Sequence, residues 1–398
     1  MIDPLRRVLA AQRGLPENVR ALSWVSFAND FASELVYPIV PLFLTVTLGA
    51  PATVLGVVEG IAEGVAVGLR GAAGWLSDRT GGERKRWIIA GYGISAVSRI
   101  ALAAAWAWGV VLVARVADRL GKAARTAPRD ALIRDSTPPE LRGAAFGYHR
   151  ALDTAGAVAG PLLAVALLTA GVSLRTVLIV AVAPGFLTLV LLRAVREART
   201  ADVLDGVAGR RRLPRAFLGA LSVWTLFSLG NSSDAFLILR AHELGLSTTL
   251  VVLAYAGYNV VYSGLSWPLG ALSDRVSRPL ILGSGLGVFA LVYAGFAVAP
   301  GSWAIWPLFA VYGAYIAATD GVARAWIGDY APARAGGTAY GIFSAASGGA
   351  LLAASVVAGV LWSHVDPSAP FWLGVASAIA GLIGLAVFEL YRTRRAPT

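Results

Sequence analysis

The chain has 398 residues, of which 57% are hydrophobic and only 14% charged, and its mean hydropathy is +0.67. That balance excludes an ordinary soluble globule, which would expose more apolar surface than so few charges keep dispersed. There is no cysteine, which excludes disulfides and thiolate metal sites, and the net charge of +11 reads as loop charge of a membrane protein rather than a nucleic-acid surface.

Apolar runs of roughly 20 residues, the length that crosses a bilayer as helix, recur along the chain. They predict an all-α membrane protein with about twelve spans. A basic tail (Arg6, Arg7, Arg13, Arg20) comes first, polar and without the apolar core of a cleavable signal, so the first span is expected to direct the chain to the membrane. That span is expected over 22–47 and carries Asn29, Asp30, Ser33, Glu34 and then Tyr37-Pro38. The second, about 52–76, holds Glu59 and Glu63. A tight loop follows: Gly74, then Trp75-Leu76-Ser77, then Asp78-Arg79, running into Glu83-Arg84-Lys85-Arg86. The third span is expected over 87–106, with Arg99 inside it. The fourth starts near Val110 and carries Arg115, Asp118, Arg119, Lys122 and Arg125. A polar loop is expected from Pro128 to Arg142, then spans over 144–169 and 174–192.

Between 193 and 215 the composition shifts to Arg196, Arg199, Arg210, Arg211 and Arg212 with Asp202 and Asp205, a linker dividing 1–192 from 216–398. Six further spans begin near Ala216, Thr248, Pro279, Trp303, Thr338 and Phe371. The tight loop recurs among them as Gly270, Ala271-Leu272-Ser273, Asp274-Arg275. The stretch from Asp135 to Gly147 likewise parallels the one from Asp329 to Gly341. Repeats running in one direction imply two bundles related by an axis along the membrane normal. The tail, both tight loops, the loop from Arg129 to Arg142, the linker and the Arg392-Arg394-Arg395 end are basic, whereas the alternate turns at 48–51, 106–109, 299–302 and 362–368 have no Lys or Arg, Arg175 being a mild exception on that side. Both termini are therefore expected in the cytoplasm.

The doubled hexapeptide resembles the loop signature of the major facilitator superfamily, and the likeness covers nearly the whole chain. It implies a major facilitator fold: twelve transmembrane helices in two pseudo-twofold-related six-helix bundles, the first, fourth, seventh and tenth spans lining a cavity. It makes Gly74, Asp78, Arg79, Gly270, Asp274 and Arg275 a conformational latch. Gly147, Gly156, Gly160 and Pro161 match the glycine-proline pattern of the exporter branch of that superfamily, with Ala164-Val165 where the pattern has two glycines. Arg115 matches its fourth-span arginine, with Arg119 in place of an intervening glycine.

Ionisable groups deep in a span are costly and are functional candidates by default. Asp30 and Glu34 share one helix face at i, i+4, and Arg115, Arg119 and Lys122 form nearly one stripe. At about 1.5 Å per residue the depths match, which pairs Glu34 with Arg119 and Asp30 with Lys122. Asp30, Glu34, Arg115 and Arg119 are the proton-coupling candidates; the alternative is a static buried ion-pair network. Asn29, Tyr37, Glu59, Glu63, Lys122, Asn231, Asp234, Tyr258, Asn259, Tyr315 and Asp320 are substrate-binding candidates, the tyrosines alternatively being packing or interfacial anchors. The adjacent cations argue against a metal at the carboxylates, and neither metal nor cofactor is expected. His149, beside Arg150, is a candidate pH sensor.

The expected activity is secondary active transport: proton-driven export of a small organic solute by a monomer in the cell membrane, with no nucleic-acid partner. Proton-coupled import and a non-transporting membrane sensor are the alternatives. No Ser/His/Asp, metal-ligand or nucleotide-binding pattern suggests an enzyme.

Overall fold

The computed structural model describes residues 14–37, 39–50, 58, 61–62, 69, 72–79, 83–198, 213–246, 248–332 and 335–393. Glu59, Glu63, the start of the tail, most of the linker and Arg394-Arg395 lie outside them.

The described residues form helices and turns and contain no strand. Helix α1 (Glu17–Val36) ends in front of Tyr37-Pro38, since a proline has no N–H to continue the ladder. A short helix Ile39–Leu42 and a π-helical turn Phe43–Thr47 extend it. After a helical stretch at 72–79 come α2 (Arg84–Ala103), α3 (Trp108–Asp135) and α4 (Arg142–Thr169). The sixth span is split at Ala181 into α5 (Leu174–Val180) and α6 (Val182–Leu191). The seventh is interrupted at 229–234, between α7 (Arg215–Ser228) and α8 (Ala235–Glu243). Then follow α9 (Thr248–Ser273), α10 (Arg278–Val298), α11 (Ile305–Tyr330), α12 (Gly336–His364) and α13 (Ala369–Thr393).

One sequence expectation needs correction. The stretch from Pro128 to Arg142 is not one polar loop: α3 runs through Pro128 to Asp135. Its charges are there for burial in an interface, with Arg129, Asp130 and Arg134 almost wholly covered. Only 136–141 connects α3 to α4, the last three residues as a 3-10 turn.

Among the described residues five helices are long and apolar enough to cross a membrane: 139–169, 174–194, 278–298, 336–362 and 369–392. Helices α1 and α3 fall short because each carries several charged residues. Outward-facing Val97, Val113, Leu162, Leu291, Val356 and Ile383 are exposed, a surface suited to lipid rather than water.

Two close approaches set the framework. A Cβ on Gly156 would lie 2.5 Å from the Phe27 carbonyl oxygen, and one on Gly160 would lie 2.6 Å from that of Phe31. Only glycine lets α4 run this close to α1. Each half has its own apolar clusters, but one cluster joins Phe146 and Tyr148 of α4 to Ala325 and Tyr340 of the second half. Ring contacts Phe146–Tyr340 (5.8 Å) and Tyr148–Trp267 (6.0 Å) seal the halves together at the end that carries the tight loops.

Candidate functional site

The tight loops form a crossed pair of clasps. Asp78, at the end of the 72–79 helix, accepts from the backbone N–H of Gly337 (3.0 Å), from that of Thr338 and from the Thr338 hydroxyl (2.6 Å). Asp274 accepts from the N–H of Gly143 (2.8 Å) and of Ala144 (2.7 Å). Each aspartate of one half thus occupies the first turn of a helix in the other, α12 and α4, where amides lack intrahelical partners and the dipole favours an anion. Glycines make the approach possible: Gly74 packs on Gly337, and Gly270 on Gly143.

The arginines that hold these aspartates are not their sequence neighbours. Asp78 pairs with Arg84 (3.0 Å) and Asp274 with Arg278 (2.7 Å). Arg79 instead lies over the Trp75 ring, 3.9 Å from its centroid, and Arg275 is exposed. Arg84 also binds Asp135 (2.8 Å). Burial works against its charge, but Asp135 and Asp78 outweigh it and raise its pKa above the usual arginine value. Arg278 reaches further, to Asp329 and to the Pro139 carbonyl (2.6 Å) across the halves.

Behind the clasps runs a chain of ion pairs through both halves. Arg129 holds Asp130 (3.1 Å), and Asp130 takes Arg324 (3.3 Å). Arg324 holds Asp320 (3.3 Å), Asp320 takes Arg150 (3.1 Å), and Arg150 holds Asp153 (2.9 Å). Tyr262 donates to Asp320 (2.7 Å), and Ser26 to Asp153. Beside it, Arg134 donates to the carbonyls of Gly328 (3.0 Å) and Ala331 (2.6 Å), binding α3 to the end of α11. Asp320, expected at a substrate site, is therefore placed in this chain. His149 is buried among the same charges, with neither ring nitrogen hydrogen-bonded.

Further along α1 the carboxylates meet the basic stripe of α3. Lys122, Arg119 and Arg115 act electrostatically on Glu34, and Lys122, Glu34 and Asp153 on Asp30. Asn29 donates to Asp30 (3.0 Å) and accepts from Arg99 (2.9 Å). Arg119 approaches Asp118 of its own helix at 3.8 Å. Arg125 donates to Ser95 (2.6 Å) and covers the Tyr92 ring. Ser33, Arg99, Arg115 and Asp118 line a cleft between α1, α2 and α3. Tyr37 is exposed at the far end of α1.

The second half presents a different wall. Asp234 accepts from Tyr312 (2.7 Å) and Tyr258 (2.9 Å). Asn231 donates to the Tyr315 hydroxyl (3.2 Å) and Asn259 to the Tyr255 carbonyl (3.0 Å). Glu34 and Asp234 both act on Tyr255, so this wall looks across at α1.

Sequence reasoning passed over Asp153, Arg150, Asp130 and Arg129 as site residues. The available signal was a run of charges in stretches taken for a loop and for helix packing.

The model of the Major Facilitator Superfamily matches residues 22–239 and 216–398. An uncharacterised MFS-type transporter of Methanocaldococcus jannaschii is 33% identical over 385 residues, 94% of this chain and 96% of that one. Among solved structures, the Escherichia coli fucose:proton symporter FucP superposes with TM-score 0.77 at 14% identity, covering 93% of this chain and 98% of that one. A bacterial homologue of the iron transporter ferroportin, in an outward-facing state, superposes with TM-score 0.73 at 15% identity, covering 94% and 99%. With the doubled clasp, the glycine-packed α1 and α4 and the facing polar walls already in place, the chain belongs to the Major Facilitator Superfamily and has the fold of a secondary transporter.

Proposed function

We propose that this transporter exports a small organic solute in exchange for protons, by alternating access in the cell membrane. The observation that carries the coupling is Asp30 and Glu34, one helical turn apart, both under the influence of Lys122 on the facing stripe. One cation shared between two carboxylates is an arrangement that movement alters. A carboxylate in a low-dielectric site takes up a proton when its cation withdraws and gives it up when the cation returns. Displacement of α3 relative to α1 would then link proton affinity to conformation. Asp30, Glu34, Arg115 and Arg119 take the coupling role, and the second-half wall takes the solute.

The clasps and the ion-pair chain belong to one end of the molecule, the end with the basic loops, which positive-inside bias assigns to the cytoplasm with both termini. Residues 1–192 and 216–398 are the two bundles and 193–215 their linker. In this reading the clasps hold the cytoplasmic side shut, and their release opens it. Export is supported by the glycine-proline pattern of α4.

The test is solute movement in proteoliposomes under an imposed pH gradient. Gradient-driven loss of solute from the compartment facing the clasp end is the expected result. Accumulation there overturns export, and flux indifferent to the gradient overturns proton coupling.

A further inference from the structure

The interrupted seventh span holds a carboxylate unlike the others. Asp118, Asp130, Asp153 and Asp320 each have an arginine within ion-pair distance. Asp78 and Asp274 do as well. For Asp234, among the described residues, the influences are burial and two phenol hydroxyls, with no lysine or arginine among them. It sits at the end of the 229–234 break, directly ahead of α8. In membrane transporters a break in a span is where backbone and side-chain polar groups become available to a solute.

What surrounds it is aromatic. Tyr258 meets Tyr255 edge-on at 4.9 Å and Tyr312 at 5.5 Å, and Tyr312 meets Tyr315 at 5.4 Å. The hydroxyls of Tyr258 and Tyr312 fix the carboxylate but bring no positive charge to it. Asn231, in the same break, gives its amide N–H to Tyr315 and leaves its Oδ1 buried without a donor. The site therefore offers a carboxylate, a spare acceptor and the partly exposed ring of Tyr255. Asp234, Asn231 and Tyr255 are each partly exposed, and Tyr255 lies within the electrostatic reach of Glu34.

A ligand complementary to this set carries positive charge and N–H donors. A cation compensates the carboxylate, its N–H groups reach the carboxylate and Asn231, and its flank lies on Tyr255, the partly exposed ring of the group. An anion meets Asp234 with like charge, and a neutral solute leaves it unpaired in a dry site.

We propose that the break in the seventh span binds the protonated amine of an organic-cation substrate, with Asp234 as counter-ion held in place by the buried Tyr258 and Tyr312, Asn231 as second acceptor and Tyr255 as the aromatic surface beside it. This rests on the transport reading above and adds the substrate class.

The test uses the full chain, purified in detergent, with three probes of one shape: phenethylamine, 2-phenylethanol and 3-phenylpropionate. Near neutral pH, calorimetry is expected to show the amine binding at least about tenfold more tightly than the alcohol, with no binding of the carboxylate. Asp234→Asn is expected to weaken the amine at least about tenfold, Asp234→Glu to restore it, and Tyr312→Phe to weaken it about threefold. Equal or tighter binding of the alcohol or carboxylate, no binding of any probe, or an Asp234→Asn variant that keeps amine affinity each overturns the proposal. Flux in proteoliposomes separates it from proton coupling. Amine that binds through Asp234 but ignores the pH gradient sinks the coupling alone. Gradient-driven flux of the alcohol or carboxylate that survives Asp234→Asn sinks the amine site alone.

Discussion

Gly337→Ala is a wedge at one clasp. The added Cβ would stand 2.7 Å from the Gly74 carbonyl oxygen, 2.5 Å from Ser77 Oγ and 2.7 Å from Asp78 Oδ1. Carbon and oxygen settle at about 3.3–3.6 Å, so the 72–79 helix and α12 must part by about 0.7 Å. Ser77 can rotate, but the Gly74 oxygen is backbone and Asp78 Oδ1 is held by the clasp, so side-chain rotation alone does not relieve the strain. Overpacking of this kind costs about 1–3 kcal/mol, which lowers the ratio of shut to open molecules by about 5- to 150-fold. The chain has no cysteine, so a single Ser266→Cys reports without background; Ser266 is 1% exposed, between α9 and α4 at the other clasp. Maleimide labelling of Cys at 266 should be at least about fivefold faster in the Gly337→Ala background. A folded Gly337→Ala protein, verified by its melting temperature, that labels at the parent rate refutes the reasoning, because the halves would then be separable at one clasp without loosening the other.

Asp78→Asn and Asp274→Asn should each speed the same labelling, since each loses charge-assisted bonds of about 1.5–3 kcal/mol, and the double variant should exceed both. Glu34→Gln should abolish solute movement driven by a pH gradient while leaving solute exchange without a gradient; retained driven movement in transport assays removes Glu34 from coupling. Arg150→Gln leaves Asp320 short of a partner and should destabilise the shut state by about 3–5 kcal/mol, more than Arg150→Gln with Asp320→Asn, as a double-mutant cycle of melting temperatures will show. Gly160→Ala should lower the melting temperature, because its Cβ would meet Phe31 O at 2.6 Å and Leu35 N at 2.7 Å.

The helices were legible because lipid demands long apolar runs, and the tight loops because they occur twice. The carboxylates of α1 and the basic stripe of α3 were legible through helical spacing, which puts residues four apart on one face. What escaped is long-range. Asp78 and Arg84 are close in sequence, but Asp78 with Thr338, Asp130 with Arg324 and Arg150 with Asp320 join residues from opposite halves. No periodicity within one helix encodes them. The end of α3 was misread for the same reason: Arg129, Asp130 and Arg134 look like a solvated loop until their partners on α11 are known. The break at 229–234 was read as continuous span, since Asn231 through Asp234 contain no proline to mark it.

The crossed clasps have a consequence for solvent. Each is made of one helix's unshared amides, those of Gly143 and Ala144 or of Gly337 and Thr338, and of the one carboxylate that satisfies them. Parting the halves strands donors and acceptors alike unless bulk liquid enters to replace each lost partner. Hydration is thus a reactant in the opening step, and the resting position of the molecule becomes a function of water activity. Osmolytes excluded from protein surfaces should drive it shut, making the osmotic state of the compartment at that face a brake on turnover.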